Sequence, residues 1–361
     1  MISIIGAGPA GCYAGYLLAK AGKEVNMFEE HSEIGKPVQC TGIVTSEISR
    51  ILKIKKDCII NKIENVRIYA PNNNYVDLKL KEKDLILDRS KFDKYLGSLA
   101  EESGAKINLS SRFVGYNKKN LIIKKEDKII RVNNQNNVIV GADGPVSKVA
   151  QKFGMHSKRR FLFGLQARVN LKNDNAVEFY PHIGQFSWVV PEDEETVRIG
   201  VASYANIKEN FDNFLGLKKV DNKKILETQS GLIPIYDSKA RIQKNNVFLV
   251  GDAATQVKST TGGGIIPGLI AAECLADSII KCKDYTQECK NKLSMSLWMH
   301  LNLRNMMDKF KNEDWDDLIN VFSKKRNTNI IESINRDNIS KILLKLLFNE
   351  PRLLYFLKYI L

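Results

Sequence analysis

Gly6-Ala7-Gly8-Pro9-Ala10-Gly11 follows the apolar run Ile2-Ser3-Ile4-Ile5 and opens a segment whose apolar positions recur at helical spacing to Ala21. A G-x-G-x-x-G pattern between a strand and a helix is a dinucleotide-binding fingerprint. Gly6 permits the tight turn, Gly8 lets a pyrophosphate approach the backbone, and Gly11 lets helix and strand pack closely. The helix start, from about Pro9 and with Ala10 a candidate cofactor contact, then offers free N–H groups and a positive dipole end to phosphate. Val25 to Phe28 form the second strand, and Glu29 ends it where a carboxylate accepts from ribose hydroxyls. Glu30 is the weaker candidate. This βαβ opening predicts an α/β fold with a parallel sheet and a Rossmann-like dinucleotide-binding domain.

Two further motifs repeat one arrangement. Gly141-Ala142-Asp143-Gly144 follows the strand Val138 to Val140, and Gly251-Asp252-Ala253-Ala254 follows Val247 to Val250. Each puts an Asp at the carboxyl end of a parallel strand, where open α/β sheets bind ligands. Either Asp also suits the cap of a following helix. Thr260-Thr261-Gly262-Gly263-Gly264 precedes a helix predicted over Ile265 to Lys281. Its glycines let backbone approach a flat ring, and Gly262, Gly263, Gly264 and Ile265 are therefore candidate cofactor contacts.

Between the motifs, residues 62–80 read as a hairpin around Pro71-Asn72-Asn73-Asn74, and 90–104 as an amphipathic helix. Residues 160–204 carry four strand-like runs, read as an inserted β-rich substrate domain. Residues 284–361 look helical. The expected domains are 1–60 with 85–155 and 245–285 for the dinucleotide, 61–84 with 156–244 for substrate, and a helical region over 286–361.

The chain has 361 residues, 43% of them hydrophobic, enough for a sizeable core, and a net charge of +14. That charge favours an anionic partner or reflects a Lys- and Asn-rich composition. No dense basic cluster interleaved with aromatics is present, so no nucleic-acid partner is expected. The six cysteines form no CxxC pair and read as free thiols of a reducing compartment. No zinc-type spacing occurs, so no metal is expected, and His182 and His300 read as structural. The first residues already form a strand, and no apolar run is long and uncharged enough to span a bilayer. The expected location is cytoplasmic, peripheral on the inner face of the membrane. Ile339 to Leu361, apolar with Lys341, Lys345, Arg352 and Lys358 interspersed, suits either an anionic bilayer surface or a helix pair closing the substrate domain.

GAGPAG, the acidic strand end, LDRSKFDKYL (87–96), GADGPVS (141–147) and GDAATQVKSTTGGG (251–264) together resemble the FAD-dependent oxidoreductases of the para-hydroxybenzoate hydroxylase structural group. Within that group, EEHSEIGKPVQCTGIV (29–44) and VKSTTGGGI (257–265) resemble the geranylgeranyl reductase family. The resemblance covers roughly residues 1–280. It implies FAD as cofactor, Asp252 at the ribityl–pyrophosphate region and Arg89 close to the cofactor. It also implies reduction of polyprenyl double bonds on archaeal membrane lipids, with electrons from NAD(P)H, ferredoxin or another reductant. A family P-x-x-Y-x-W-x-F-P segment lining the prenyl pocket corresponds to Ile183–Pro191. Here Trp188 and Pro191 match, while Phe186 replaces Tyr, Val190 replaces Phe and Ile183 replaces the first Pro. Trp188 also fits the core of a sheet. Cys40, before Thr41-Gly42, is either a flavin-side thiol and proton donor or a small buried hydrophobe. The alternative activity on this fold is an FAD-dependent aromatic hydroxylase.

Overall fold

The structure is a computed structural model and describes residues 1–117, 119–134 and 137–359. The chain divides into two units. The first comprises Met1–Val38, Arg89–Arg160 and Pro234–Leu297, and the second Gln39–Asp88, Phe161–Ile233 and Trp298–Leu361.

In the first unit, Ile2–Ile5 lies between parallel partners, Val25–Phe28 on one side and Val138–Gly141 on the other. Lys106–Asn108 extends one edge in parallel, and Val247–Leu249 then Gln243–Lys244 extend the other, the last antiparallel. All four residues of Ile2–Ile5 are buried, the mark of a sheet covered on both faces. The helices Pro9–Lys20, Arg89–Glu102 and Ile265–Lys281 belong to this unit. Each fully buried aliphatic such as Ile4 or Leu18 contributes about 1.5–3 kcal/mol of transfer free energy. A meander of Ser111–Asn117, Asn120–Lys125 and Lys128–Asn133 completes it.

The second unit is built on an eight-stranded mixed sheet. Its middle strands Phe161–Asn170, Thr196–Ser203, Phe186–Pro191 and Ala176–Tyr180 follow the four runs read from sequence. The helix Ile207–Leu217 covers one face, packing Phe211, Phe214 and Leu215 onto Val189, Val197, Ile199 and Val201. The hairpin is longer than expected, Ile59–Tyr69 with Tyr75–Leu87. Its polar stretch pairs anyway because Lys79 and Lys83 reach Glu64 on the neighbouring strand, and irregular register accommodates the extra length.

Two units stand where three regions were expected. Residues 39–60 go with the β-rich unit because their turn is hydrogen-bonded to its sheet. The tail from Trp298 joins the same unit. Ile319 packs with Ala70, Val76 and Leu78 of the hairpin, and Arg336 pairs with Asp84. Ile360 and Leu361, part of the tail read from sequence, lie outside the described residues.

Candidate functional site

The fingerprint turn is shaped by what cannot fit. Gly6 has φ +100°, and a Cβ there would lie 2.7 Å from the Ala142 carbonyl carbon and closer still to its oxygen. A Cβ on Gly11 would overlap the Gly6 carbonyl oxygen. Gly8 differs: its Cβ direction meets nothing within 4 Å, and its φ of −71° suits any residue. The first and third glycines therefore serve packing, and the second leaves an open face at the start of the helix Pro9–Lys20. Glu29 stands against this turn, accepting from the Ala7 N–H at 2.7 Å and the His31 N–H at 3.0 Å, with His31 Nδ1 at 2.7 Å. It braces the loop, and its further lone-pair capacity suits a ribose hydroxyl. Ala10 turns its methyl toward Gly251 and Gly268, a packing role between two helix starts.

The two Asp-bearing loops behave differently. Asp143 accepts from Ser147 Oγ at 2.6 Å and from the Val149 N–H at 2.9 Å. It is thus engaged at the start of the short helix Lys148–Lys152, the capping reading left open by the sequence. Burial pushes its carboxyl up, against those hydrogen bonds. Gly144, at φ +74°, has open space where a side chain would be. Asp252 lies beside the last residue of the glycine turn, since a Cβ on Gly264 would sit 3.1 Å from its Oδ1. Burial pushes Asp252 up to about 6, with Arg89 and Arg159 pulling the other way. Arg89 forks onto Asp93 at 3.0 and 2.8 Å. The glycine turn folds back on itself, Lys258 and Gly262 exchanging backbone bonds with Gly263 and Lys258, and delivers Gly264 and Ile265 to the start of the helix Ile265–Lys281.

Arg159 is a residue that the motifs did not single out. Its guanidinium donates to the Pro145 carbonyl at 2.8 Å and to the Ala253 carbonyl at 2.6 Å, joining the two loops. Its Nε is buried and has no partner among the described residues. Asp143, Asp237 and Asp252 offset the burial that lowers its pKa.

The Asp252 carboxyl links folding to pH. Its folded pKa is raised above the usual 3.8, so ionisation costs stability as pH rises from 4 through about 6. Asp252→Asn removes that cost. Without cofactor, the variant is expected to exceed wild type by about 3 kcal/mol at pH 8 and to equal it below pH ~4. Urea midpoints across that range check it.

In the second unit, side chains alternate across the strand Phe186–Pro191. Phe186, Trp188 and Val190 share one face. Pro191 points to the other, with Val189 and its cross-strand partners on the side of the helix Ile207–Leu217. The sequence-predicted set Phe186, Trp188 and Pro191 is therefore split. Phe186 packs between Phe179 and Trp188, with ring centroids at 5.8 and 5.7 Å. Gly200 makes room for Trp188, since a Cβ there would press its indole and Gln166. The Trp188 Nε1 is buried without a partner among the described residues.

Cys40 belongs to this same face through its turn. Arg198 and Gln166 rise from it, opposite Val190 and next to Gly200. Gln166 accepts from Thr41 Oγ1 at 2.9 Å, and Arg198 donates to the Thr41 carbonyl. Gly42 needs its φ of +76° because a Cβ would crowd the Leu87 carbonyl and Arg198. The Gly42 N–H donates to Cys40 Sγ at 3.3 Å, and Leu87 N–H donates back to Gly42. Cys40 itself is half-buried. The Arg198 charge is met by Glu192, which also accepts the Arg168 fork at 2.8–3.1 Å. Burial raises the Glu192 carboxyl, but the two guanidiniums overcome it and hold it below its ordinary range.

A family model described as FAD binding domain matches residues 1–280. This chain belongs to the FAD-binding family. FAD is its cofactor, and it is a flavin-dependent oxidoreductase. The residues of the first unit are compatible with that dinucleotide: Gly8 and Gly144 have open space in their Cβ directions, Arg159 keeps a buried donor with no partner among the described residues, and Asp252 is an acceptor despite its cost. The flavoprotein is 26% identical to a digeranylgeranylglycerophospholipid reductase of Methanocaldococcus jannaschii, over 99% of this chain and 97% of the relative. It is 29% identical to the protein of that name from Thermoplasma volcanium, over 92% and 94%. A solved geranylgeranyl bacteriochlorophyll reductase-like structure from Thermoplasma acidophilum superposes with a TM-score of 0.84 at 24% identity, covering 100% of this chain and 98% of that one. This last likeness is one of fold.

Proposed function

We propose that this flavoprotein saturates carbon–carbon double bonds in the geranylgeranyl chains of membrane lipids. The observation that carries the reading is the sheet face of the second unit, where Phe179, Phe186 and Trp188 form an apolar surface and the Cys40 turn is fastened to the same face. A polyprenyl chain offers only apolar contact, which the rings of Phe179, Phe186 and Trp188 match. The names of the full-length relatives support the same substrate class.

The first unit holds FAD by Gly8, Glu29, Asp252 and the start of the helix Ile265–Lys281. When bound and reduced, the cofactor supplies hydride; the hard chemistry is its own. The second unit aligns the chain, and its aromatic face excludes water. An isolated alkene needs a proton as well as a hydride. Cys40 Sγ, held by the Gly42 N–H with its own S–H uncommitted to that bond, is the proposed source. Electrons come from NAD(P)H, ferredoxin or a comparable reductant.

Incubation of the reduced protein with a geranylgeranyl glycerol lipid is expected to yield products heavier by two hydrogens per bond. Cys40→Ala is expected to slow that turnover about 10²–10⁴-fold, the range of a lost general acid, with FAD content unchanged. Turnover at the wild-type rate would remove Cys40 from the proton path. Unreacted lipid with fully loaded wild-type protein would overturn the activity.

A further inference from the structure

The described residues contain no helix long and apolar enough to cross a membrane. The tail of the second unit nonetheless presents large apolar side chains outward. In the helix Ile339–Asn349, Ile342 and Leu346 turn inward to pack with Ile334 and Leu353. The opposite stripe is Lys341, Leu344, Lys345 and Phe348, at helical positions i, i+3, i+4 and i+7. Phe348 is 87% exposed and Leu344 58%. After Pro351, the turns Pro351–Tyr359 bury Phe356 and expose Leu354, Tyr355 and Leu357. Large apolar groups kept in water at such density mark a contact surface.

Charge identifies what covers it. Lys341, Lys345, Arg352 and Lys358 are all exposed in this stretch. The single carboxylate within 339–359 is Glu350, buried and already engaged by Lys324 and Arg352. Lys358 lies 3.5 Å from the Tyr355 ring centroid, its stem along an aromatic face and its charge at the edge. A second copy of the chain would bring these cations against one another across a symmetric contact. Glu350 already pairs with Arg352, and Asp314 lies 3.8 Å from Lys358, so an anionic surface chiefly meets Lys341 and Lys345 while taking the apolar groups.

We propose that the face formed by the outward stripe of Ile339–Asn349 and the turns Pro351–Tyr359 docks the protein on an anionic lipid bilayer. Phe348, Leu344 and Leu354 enter the headgroup–acyl boundary, and Lys341 and Lys345 lie among the phosphates. The proposal rests on the reading that the substrate is a membrane lipid, and it explains how a protein with no spanning helix among its described residues meets one.

The test uses the full chain loaded with FAD. Flotation is measured with vesicles of equal parts phosphatidylglycerol and phosphatidylcholine, and with phosphatidylcholine alone. Wild type is expected to float with the anionic vesicles, less so at high salt. Leu344→Ser with Phe348→Ser, and separately Lys341→Glu with Lys345→Glu, are each expected to cut the bound fraction at least about tenfold. These four side chains are exposed, so FAD content and turnover of detergent-dispersed lipid are expected to hold in both variants. Variants that float like wild type would overturn the docking face, as would a wild type that never floats. A concentration-dependent dimer lost in the Leu344→Ser, Phe348→Ser variant would assign the face to a second copy instead. A protein that floats but leaves prenyl lipid unreduced would sink the proposed activity and leave the docking face standing.

Discussion

Gly8→Val is expected to leave the fold at wild-type stability and to strip the protein of FAD. The Gly8 Cβ direction is open to 4 Å and its backbone is ordinary extended geometry, so no neighbour must move. The stability change is expected within about 0.5–1 kcal/mol, as for a substitution that touches nothing. In the proposed function the same open face receives phosphate at the helix start, and a branched side chain there excludes it. FAD affinity is expected to fall at least about 100-fold, roughly 2.7 kcal/mol. Gly6→Ala reverses the pattern. Its Cβ falls inside the Ala142 carbonyl, and φ of +100° penalises any side chain. A loss of roughly 3 kcal/mol or more follows from the clash and the left-handed backbone together. Urea unfolding with and without added FAD separates the two variants. Equal loss of stability in both would mean the second glycine is also a packing glycine, and would remove the basis for the phosphate cradle.

Arg198→Ala is expected to be the most damaging single change in the second unit. Arg198 is 6% exposed and Glu192 5%, so truncation leaves a buried carboxylate with Arg168 alone and strips a donor from the Thr41 and Leu87 carbonyls. Breaking one partner from a buried ion pair costs about 3–5 kcal/mol. Arg198→Lys recovers only part, because one ammonium cannot serve a carboxylate and two carbonyls in different directions. The specific readout is Cys40. Freed from its anchored turn, it is expected to react with iodoacetamide about tenfold faster, as local opening exposes it. The exposed Cys282 is replaced by Ser to clear the background. Destabilisation without faster Cys40 alkylation would show that Arg198 supports the sheet and leaves the turn alone. Because Glu192 is held below its ordinary range, its contribution persists above pH ~4.3 and is lost as acid titrates it through the lowered value.

The contrast between Gly8 and Arg198 shows what the amino-acid order discloses. The fingerprint is legible because its demands are local. Gly6, Gly8 and Gly11 answer to a turn six residues long, and Glu29 reaches Ala7 across adjacent strands. Arg159 and Arg198 are illegible for the opposite reason. Each has a nearer partner, Pro145 and Glu192, but the loops they fasten lie 94 residues away at Ala253 and 157 away at Thr41, and no local motif marks them. Asp143 and Asp252 look identical as strand-end aspartates. Only the neighbours separate them, Ser147 and Val149 tying up the first while the second keeps an uncomfortable charge. Pro191 matched a motif by letter, yet strand alternation turned it to the opposite face from Trp188. The tail's apolar content was plain from its letters. Which residues face outward depended on Ile342 and Leu346 finding a core.

The most direct test of the central claim is anaerobic. The protein, reduced with dithionite freed of excess, is mixed with a geranylgeranyl glycerol lipid while the flavin absorbance is followed and the lipid is weighed by mass spectrometry. Return of the oxidised flavin spectrum in step with lipid gaining two hydrogens per bond is the predicted result. A flavin that stays reduced with prenyl lipid, but reoxidises when oxygen and an added phenol are supplied and yields the hydroxylated phenol, would contradict it.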